Sequence, residues 1–263
     1  MNLKSIPKEY EYLTWPEVKN IAANQKSTII WPFGAVEQHG PHLPLATDSF
    51  FVDEIINEVL TLMPDETPLK RIPTQYIGFS PEHLGFSGTL SLSSQVITLM
   101  ISEIGKQLSD IGFKRLILLN AHGGQISLLN TAARELRTLA PKLSVFPCFL
   151  WSGVDGLSDL LSKSEIENGL HASLAETSLM MSINENFVGD ERPCEGISNK
   201  IPNGWSLEGN APTAWFTKDI SKSGVIGDSR GSNVQLGNEI KKLLVDHWYN
   251  MLLSLMSSDW LIP

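Results

Sequence analysis

The feature that most restricts the fold of this chain is an alternation of short apolar runs with longer segments whose apolar residues recur every three or four positions. Residues 28–33 are β-branched and apolar and end at the turn-prone Gly34, and Arg115-Leu-Ile-Leu-Leu-Asn120 carries four aliphatic residues in a row. Runs apolar at odd and even positions alike predict strands covered on both faces. After Thr47 and Asp48, the positions Val52, Ile55, Ile56, Val59, Leu60 and Met63 form one helical face that stops at Pro64. The same reading predicts a strand near 71–77, a helix near 94–111 opened by Ser93 or Ser94, a helix near 125–139, a strand near 143–150, helices near 156–162 and 173–184, and a last helix near 232–256. Strands joined through helices must run parallel, so the expectation is one α/β domain over residues 1–263, a three-layer α/β/α arrangement around a mainly parallel central sheet. Residues 190–231, rich in Gly, Pro, Asn and Ser, are predicted to be irregular and lid-like.

Composition then narrows the partners. Twenty Lys and Arg stand against 29 Asp and Glu, a formal charge of -9, with no basic cluster. Such a chain has nothing to grip a phosphate backbone and is repelled by an anionic membrane, so neither nucleic acid nor membrane is expected as a partner. No apolar run is long enough to cross a bilayer and the start lacks the pattern of an export signal, which predicts a cytoplasmic protein. Two cysteines, Cys148 and Cys194, lie far apart without paired spacing, which excludes a disulfide framework.

In parallel α/β sheets ligands bind beyond the carboxyl ends of the strands, and there this chain places unusual polar residues. Residues 28–33 lead into Gly34-Ala-Val-Glu37-Gln-His39-Gly-Pro-His42-Leu-Pro-Leu-Ala-Thr-Asp48. In an extended segment Glu37 and His39 project to one side, their Cα atoms about 6.5 Å apart, and so can face one ion or two adjacent ones. Asp48 has two oxygens to share between ions if the Pro-punctuated loop turns it back; alone, it reads as a helix N-cap. The strand at 115–120 ends in Asn120-Ala-His122-Gly-Gly124-Gln125, where glycines let backbone N–H groups approach a ligand. In Gly169-Leu-His171-Ala-Ser-Leu-Ala-Glu176-Thr-Ser, the pair Ser173 and Glu176 also fits a capping box. Five helical residues turn through about 500°, so His171 and Glu176 serve one site only if His171 precedes the helix; Glu176 is then a candidate metal ligand and His171 a proton handler.

These segments resemble the creatininase family of metal-dependent amidohydrolases over about residues 30–231. The stretch from Gly34 to Asp48 is similar to the family's first metal-binding stretch, Asn120 to Gln125 to its Asn-Gly-His-Gly-Gly-Asn, and His171 to Ser178 to its His-Ala-x-x-x-Glu-Thr-Ser. Gly78 to Leu90 and Gly224 to Asp228 resemble two further family segments. The resemblance implies a site for two divalent ions (Zn2+, Mn2+ or Fe2+), with Glu37 and His122 on one, His39 and Glu176 on the other, Asp48 between them and His171 as the catalytic histidine. It also implies a small-molecule amide as substrate and a homo-oligomer, commonly a hexamer. Where true creatininases carry a carboxylate two residues after the strand histidine, this chain has Gly124, a form similar to relatives acting on other cyclic amides, formamides or small modified peptides.

Two other readings compete: a metal-binding protein without catalysis, and a serine hydrolase, because Gly227-Asp-Ser229-Arg-Gly231 has nucleophile-elbow spacing. Against the latter, no strand is predicted before Ser229 and the only later histidine, His247, falls within a helix. Trp151, Trp205 and Trp215 are candidates to line a ring-binding pocket, with ordinary packing as the alternative. The roles of Glu82, His83 and His42 stay open, with hydrogen bonding inside the fold or the pocket as the default for each.

Overall fold

The structure, a computed structural model, describes residues 6–196, 201–209 and 211–260. In chain order its elements are α1 (Trp15–Ala22), β1 (Thr28–Phe33), α2 (Thr47–Leu62), β2 (Leu69–Arg71), α3 (Ser94–Ile111), β3 (Arg115–Asn120), α4 (Ile126–Leu139), β4 (Ser144–Phe149), α5 (Leu157–Leu160), α6 (Lys163–Asn168), α7 (Leu174–Asn184), β5 (Cys194–Glu195), α8 (Thr217–Ile220), β6 (Gly227–Asp228) and α9 (Val234–Ser257). The central sheet has four parallel strands in the order β2-β1-β3-β4. Strands β1 and β3 pair in register from Thr28 with Arg115 to Phe33 with Asn120, which brings both carboxyl ends, and the residues after them, to one edge.

Both central strands divide their side chains between two cores. Ile30, Ile117 and Leu119 pack with α2, α7 and α9, whereas Ile29, Trp31, Phe33, Leu116 and Leu118 pack with α1, α3 and α4. Apolar residues at every position are thus the signature of a strand with a helical layer on each face, and the three-layer α/β/α fold is the one expected.

Three boundaries differ from the sequence reading. The strand expected near 71–77 stops at Arg71, because Pro32 on β1 lacks the N–H that would continue the ladder. Beyond Arg71 the pairing continues only as separate bonds, from Ile72 N to the Ile30 carbonyl at 3.0 Å, from Gln75 N to the Pro32 carbonyl at 2.9 Å and from Gly34 N to the Gln75 carbonyl at 3.0 Å. The helix expected near 156–162 ends at Leu160, and α6 follows, opened by the Ser162 hydroxyl accepting from Glu165 N at 3.1 Å. Helix α1 was not legible: it is only eight residues long and buries only Val18 and Ala22. Of the segment 190–231, residues 197–200 and 210 lie outside the described residues.

Candidate metal centre

Close contact between the end of β1 and the start of α2 builds the first part of the site. At Gly34 a Cβ would lie 2.2–2.7 Å from atoms of Ser49, so only glycine permits this approach. The Ser49 hydroxyl donates to the Ala35 carbonyl at 3.2 Å, and Glu37 N donates to the Leu45 carbonyl at 2.8 Å, closing the loop between them. Asp48 sits in the first turn of α2 but caps nothing: the N-cap is Ala46 and has no side-chain bond. The Asp48 carboxylate turns inward instead, Oδ1 lying 3.6 Å from His39 Nε2 and Oδ2 3.5 Å from His122 Nδ1.

His122 arrives from the end of β3, held by a reciprocal pair with Asn120: His122 N donates to Asn120 Oδ1 at 2.9 Å and Asn120 Nδ2 donates to the His122 carbonyl at 2.7 Å. Its Nδ1 lies 3.2 Å from Glu37 Oε1. Ahead of α7, His171 bridges to Ile226 through paired backbone bonds of 3.0 and 2.9 Å, and Ala172 takes a left-handed φ of 52°, the one non-glycine residue with positive φ among those described. That turn lets Ala172 N donate to Glu176 Oε2 at 2.6 Å. The capping box is therefore not formed: the Ser173 hydroxyl donates to Glu165, which also accepts from Ala175 N at 2.9 Å. His171 precedes the helix, as required for it to share a site with Glu176.

All six predicted residues, Glu37, His39, Asp48, His122, His171 and Glu176, thus meet in one cluster. Glu37, His39 and Asp48 offer ligand atoms within 4.8 Å of one another, as do His39, His171 and Glu176. His171 thus lies among the donor atoms of the cluster as well as ahead of α7. The structure adds two residues whose roles the sequence left open. His83 Nε2 lies 3.3 Å from Glu37 Oε1, and its Nδ1 lies 2.7 Å from the Thr217 hydroxyl oxygen; its ring stacks on His171 at 4.1 Å between centroids. Glu82 Oε1 lies 3.1 Å from His122 Nε2. The available signal was the segment Gly78 to Leu90, matched as a whole but not residue by residue. His42 stands apart, its Nε2 2.8 Å from the Thr177 hydroxyl.

The electrostatics are those of a site short of positive charge. Burial alone would lower the His39 pKa, but Asp48, Glu176 and Glu37 outweigh it and raise it to about 9. The same competition, with Glu37, Glu82 and Asp48, leaves His122 well above its usual value. Burial pushes the Glu176 carboxyl up to about 7 against the pull of His39. His171 and His83, desolvated and beside other imidazoles, are held below the ordinary range, His83 at about 4. Both Glu37 carboxylate oxygens, His39 Nε2 and Asp48 Oδ2 are buried without a hydrogen-bond partner. Lone pairs left unpaired in a buried site, on carboxylates and imidazoles that approach without hydrogen-bond alignment, are a donor set suited to borderline divalent cations.

The cluster opens into a cavity of about 380 Å³ walled by Phe149, Trp151, Leu161, Ile166 and Trp215, with Glu165 and Glu208 on its sides. Trp151 and Trp215 thus line the pocket, while Trp205, 61% exposed, faces a smaller hollow. Ser229 is buried and donates to the Pro193 carbonyl at 2.8 Å, and β6 before it has two residues; no nucleophile elbow forms. Among the described residues no helix is long and apolar enough to cross a membrane.

The profile of the Creatininase family, described as creatinine amidohydrolase, matches residues 11–252. The chain is 28% identical over 233 residues to a mycofactocin precursor peptide peptidase of Mycobacterium tuberculosis, covering 83% of this chain and 82% of that protein. It is 26% identical over 196 residues to a creatinine amidohydrolase of Pseudomonas putida, covering 68% and 73% respectively. A solved structure described as Creatininase Mn superimposes with a TM-score of 0.75 at 20% identity, over 96% of this chain and 100% of that one, a likeness of fold.

Proposed function

This chain belongs to the creatininase family, and from that premise we propose that it is a two-metal amidohydrolase that cleaves a C–N bond in a small, peptide-like amide. The observation that carries the reading is Asp48: its two oxygens face different histidines, His39 at 3.6 Å and His122 at 3.5 Å, a position from which one carboxylate would serve two cations. Glu37 and His122 would hold one ion, His39 and Glu176 the other. Manganese or zinc suits this mixture of carboxylates and imidazoles, and manganese is named for the creatininase structure of the same fold. When bound, the ions supply Lewis acidity and stabilise negative charge developing on the amide oxygen.

The chain's own residues do the rest. His171 Nε2 donates to the Gln38 carbonyl at 2.7 Å, which fixes the tautomer and leaves the Nδ1 lone pair turned toward Glu37, 3.9 Å away. A proton accepted at Nδ1 from the water that attacks the amide carbon can be passed to the leaving nitrogen as the C–N bond breaks. Gly123 and Gly124, which carry backbone N–H groups and no side chain, line the cavity wall, where a developing oxyanion needs donors. The aromatic walls Phe149, Trp151 and Trp215 suit an uncharged or aromatic group beside the scissile bond. A peptide-like substrate is favoured by the similarity to a precursor peptide peptidase.

The test is a screen of short peptides, amino-acid amides, formamides and creatinine with Mn2+ or Zn2+ added, with His171→Ala as control. The reading requires hydrolysis that a chelator abolishes and that His171→Ala reduces by about 100-fold or more. Hydrolysis indifferent to both would contradict it.

A further inference from the structure

Gly124 and Glu82 occupy the same space. A Cβ built on Gly124 would lie 1.7 Å from Glu82 Oε1 and 2.7 Å from the Glu82 carboxyl carbon, with His122 Nε2 also 2.7 Å away. No other described glycine would bring a Cβ so close to a carboxylate. The Glu82 carboxylate therefore fills the volume a side chain at position 124 would take, beside the histidine two residues earlier. It comes from the opposite wall, out of the short turn Pro81–His83, whose Ser80 N donates to the Ser91 hydroxyl at 2.8 Å and whose Glu82 carbonyl accepts from the Thr217 hydroxyl at 3.1 Å. The turn is thus tied at both ends, while the carboxylate it carries faces the cavity. Glu37, Glu82 and His122 offer ligand atoms within 4.8 Å of one another, the span of one coordination sphere.

The geometry points to Glu82 as a further carboxylate ligand of the cation held by Glu37 and His122, with glycine at position 124 as the condition that admits it. This rests on the two-metal reading and extends it: the ligand set draws on a fourth segment of chain, and the identity of residue 124 decides whether that segment can reach the ion. A hard or borderline divalent cation, Mn2+ or Zn2+, is the class of ion that three such donors would take. The pairing also makes the two positions exchangeable. With Glu82 removed, a carboxylate extended from position 124 projects into the vacated volume.

The experiment titrates the whole chain, stripped by chelation, with Mn2+ alone by calorimetry, and follows the visible absorption of Co2+-loaded protein as a report of coordination. Wild type is expected to bind two ions. Glu82→Ala is expected to weaken one of them by more than about 100-fold, beyond what loss of an outer partner costs, and to shift the Co2+ bands. Gly124→Ala, which keeps Glu82 but displaces its carboxylate, is expected to do the same, and Glu82→Ala combined with Gly124→Glu to recover most of the affinity. Glu82→Gln, which preserves size, covers the case in which Glu82→Ala does not fold. Wild-type affinity for both ions, with unshifted Co2+ bands, in Glu82→Gln and Gly124→Ala would overturn the inference. A wild-type chain that takes up a single ion, lost in Glu82→Gln, would keep Glu82 as a ligand while removing the two-metal reading; a single ion indifferent to Glu82→Gln would remove both.

Discussion

Helix α2 contains two regions of equal burial and opposite chemistry. From Phe51 to Leu60 its inward residues Phe51, Val52, Ile55, Ile56 and Val59 are completely enclosed among other apolar side chains. In its first turn, Thr47, Asp48 and Ser49 are 0–2% exposed, yet Asp48 keeps an oxygen without a hydrogen-bond partner. The first region gains free energy by leaving water, and the second loses it. A fold that places both on one helix has given up stability at the carboxyl edge of the sheet to keep charge and lone pairs there.

That contrast breaks most visibly under two exchanges on the same helix. Asp48→Ala should lower amide hydrolysis by about 100-fold or more, while changing the stability of the metal-free protein less than a core truncation does, since one oxygen of the carboxylate it deletes has no hydrogen-bond partner. Ile55→Ala should do the reverse, costing about 2–5 kcal/mol of unfolding free energy in a urea titration with metal uptake intact. If Asp48→Ala instead destabilised the chelated protein as Ile55→Ala does, the two regions would be energetically alike.

The dependence of stability on pH sharpens the same comparison. His39, raised to about 9, contributes stability that is complete below the unfolded value of 6.5 and is lost as pH rises through 9. Glu176, raised to about 7, likewise favours the fold below 4.5 and loses that contribution as pH climbs through 7. His83 and His42, lowered by burial to about 4, act in the opposite sense and favour the fold less as pH falls from 6.5 to 4. Chelated protein should thus be most stable between about pH 6 and 7 and fall away toward pH 9, whereas saturating Mn2+ should remove the alkaline decline. Thermal melts at a series of pH values, with and without the ion, check this; an alkaline decline that Mn2+ leaves in place would contradict it.

Smaller effects are expected farther out. Trp215→Ala, which strips one aromatic wall from the cavity but touches no proposed ligand, should raise KM about tenfold with a lesser change in kcat. Asp110→Ala breaks an exposed pair with Lys106 on α3 and should change stability by no more than about 0.5 kcal/mol.

How much of this could be read from the sequence follows the same division. The apolar region was legible because burial on two faces leaves a pattern, in β1 and β3 as in the α2 stripe. Glu37, His39 and Asp48 were legible because polar residues directly after a buried strand have no packing reason to be there. The Asp48 and Ser173–Glu176 capping alternatives were settled only by tertiary contacts, Glu165 taking the Ser173 hydroxyl and a left-handed Ala172 redirecting the backbone. Glu82 and His83 lie in a loop without periodicity, and what gives Glu82 its meaning is a neighbour 42 residues later, Gly124, whose missing side chain no local pattern records.

Anomalous diffraction from crystals of the whole chain grown with Mn2+ tests the central claim most directly. The account predicts two peaks inside the cluster, one on the His39 side of the Asp48 carboxylate and one on the His122 side. A single peak, or strong peaks only outside the residues Glu37, His39, Asp48, His122 and Glu176, would contradict it.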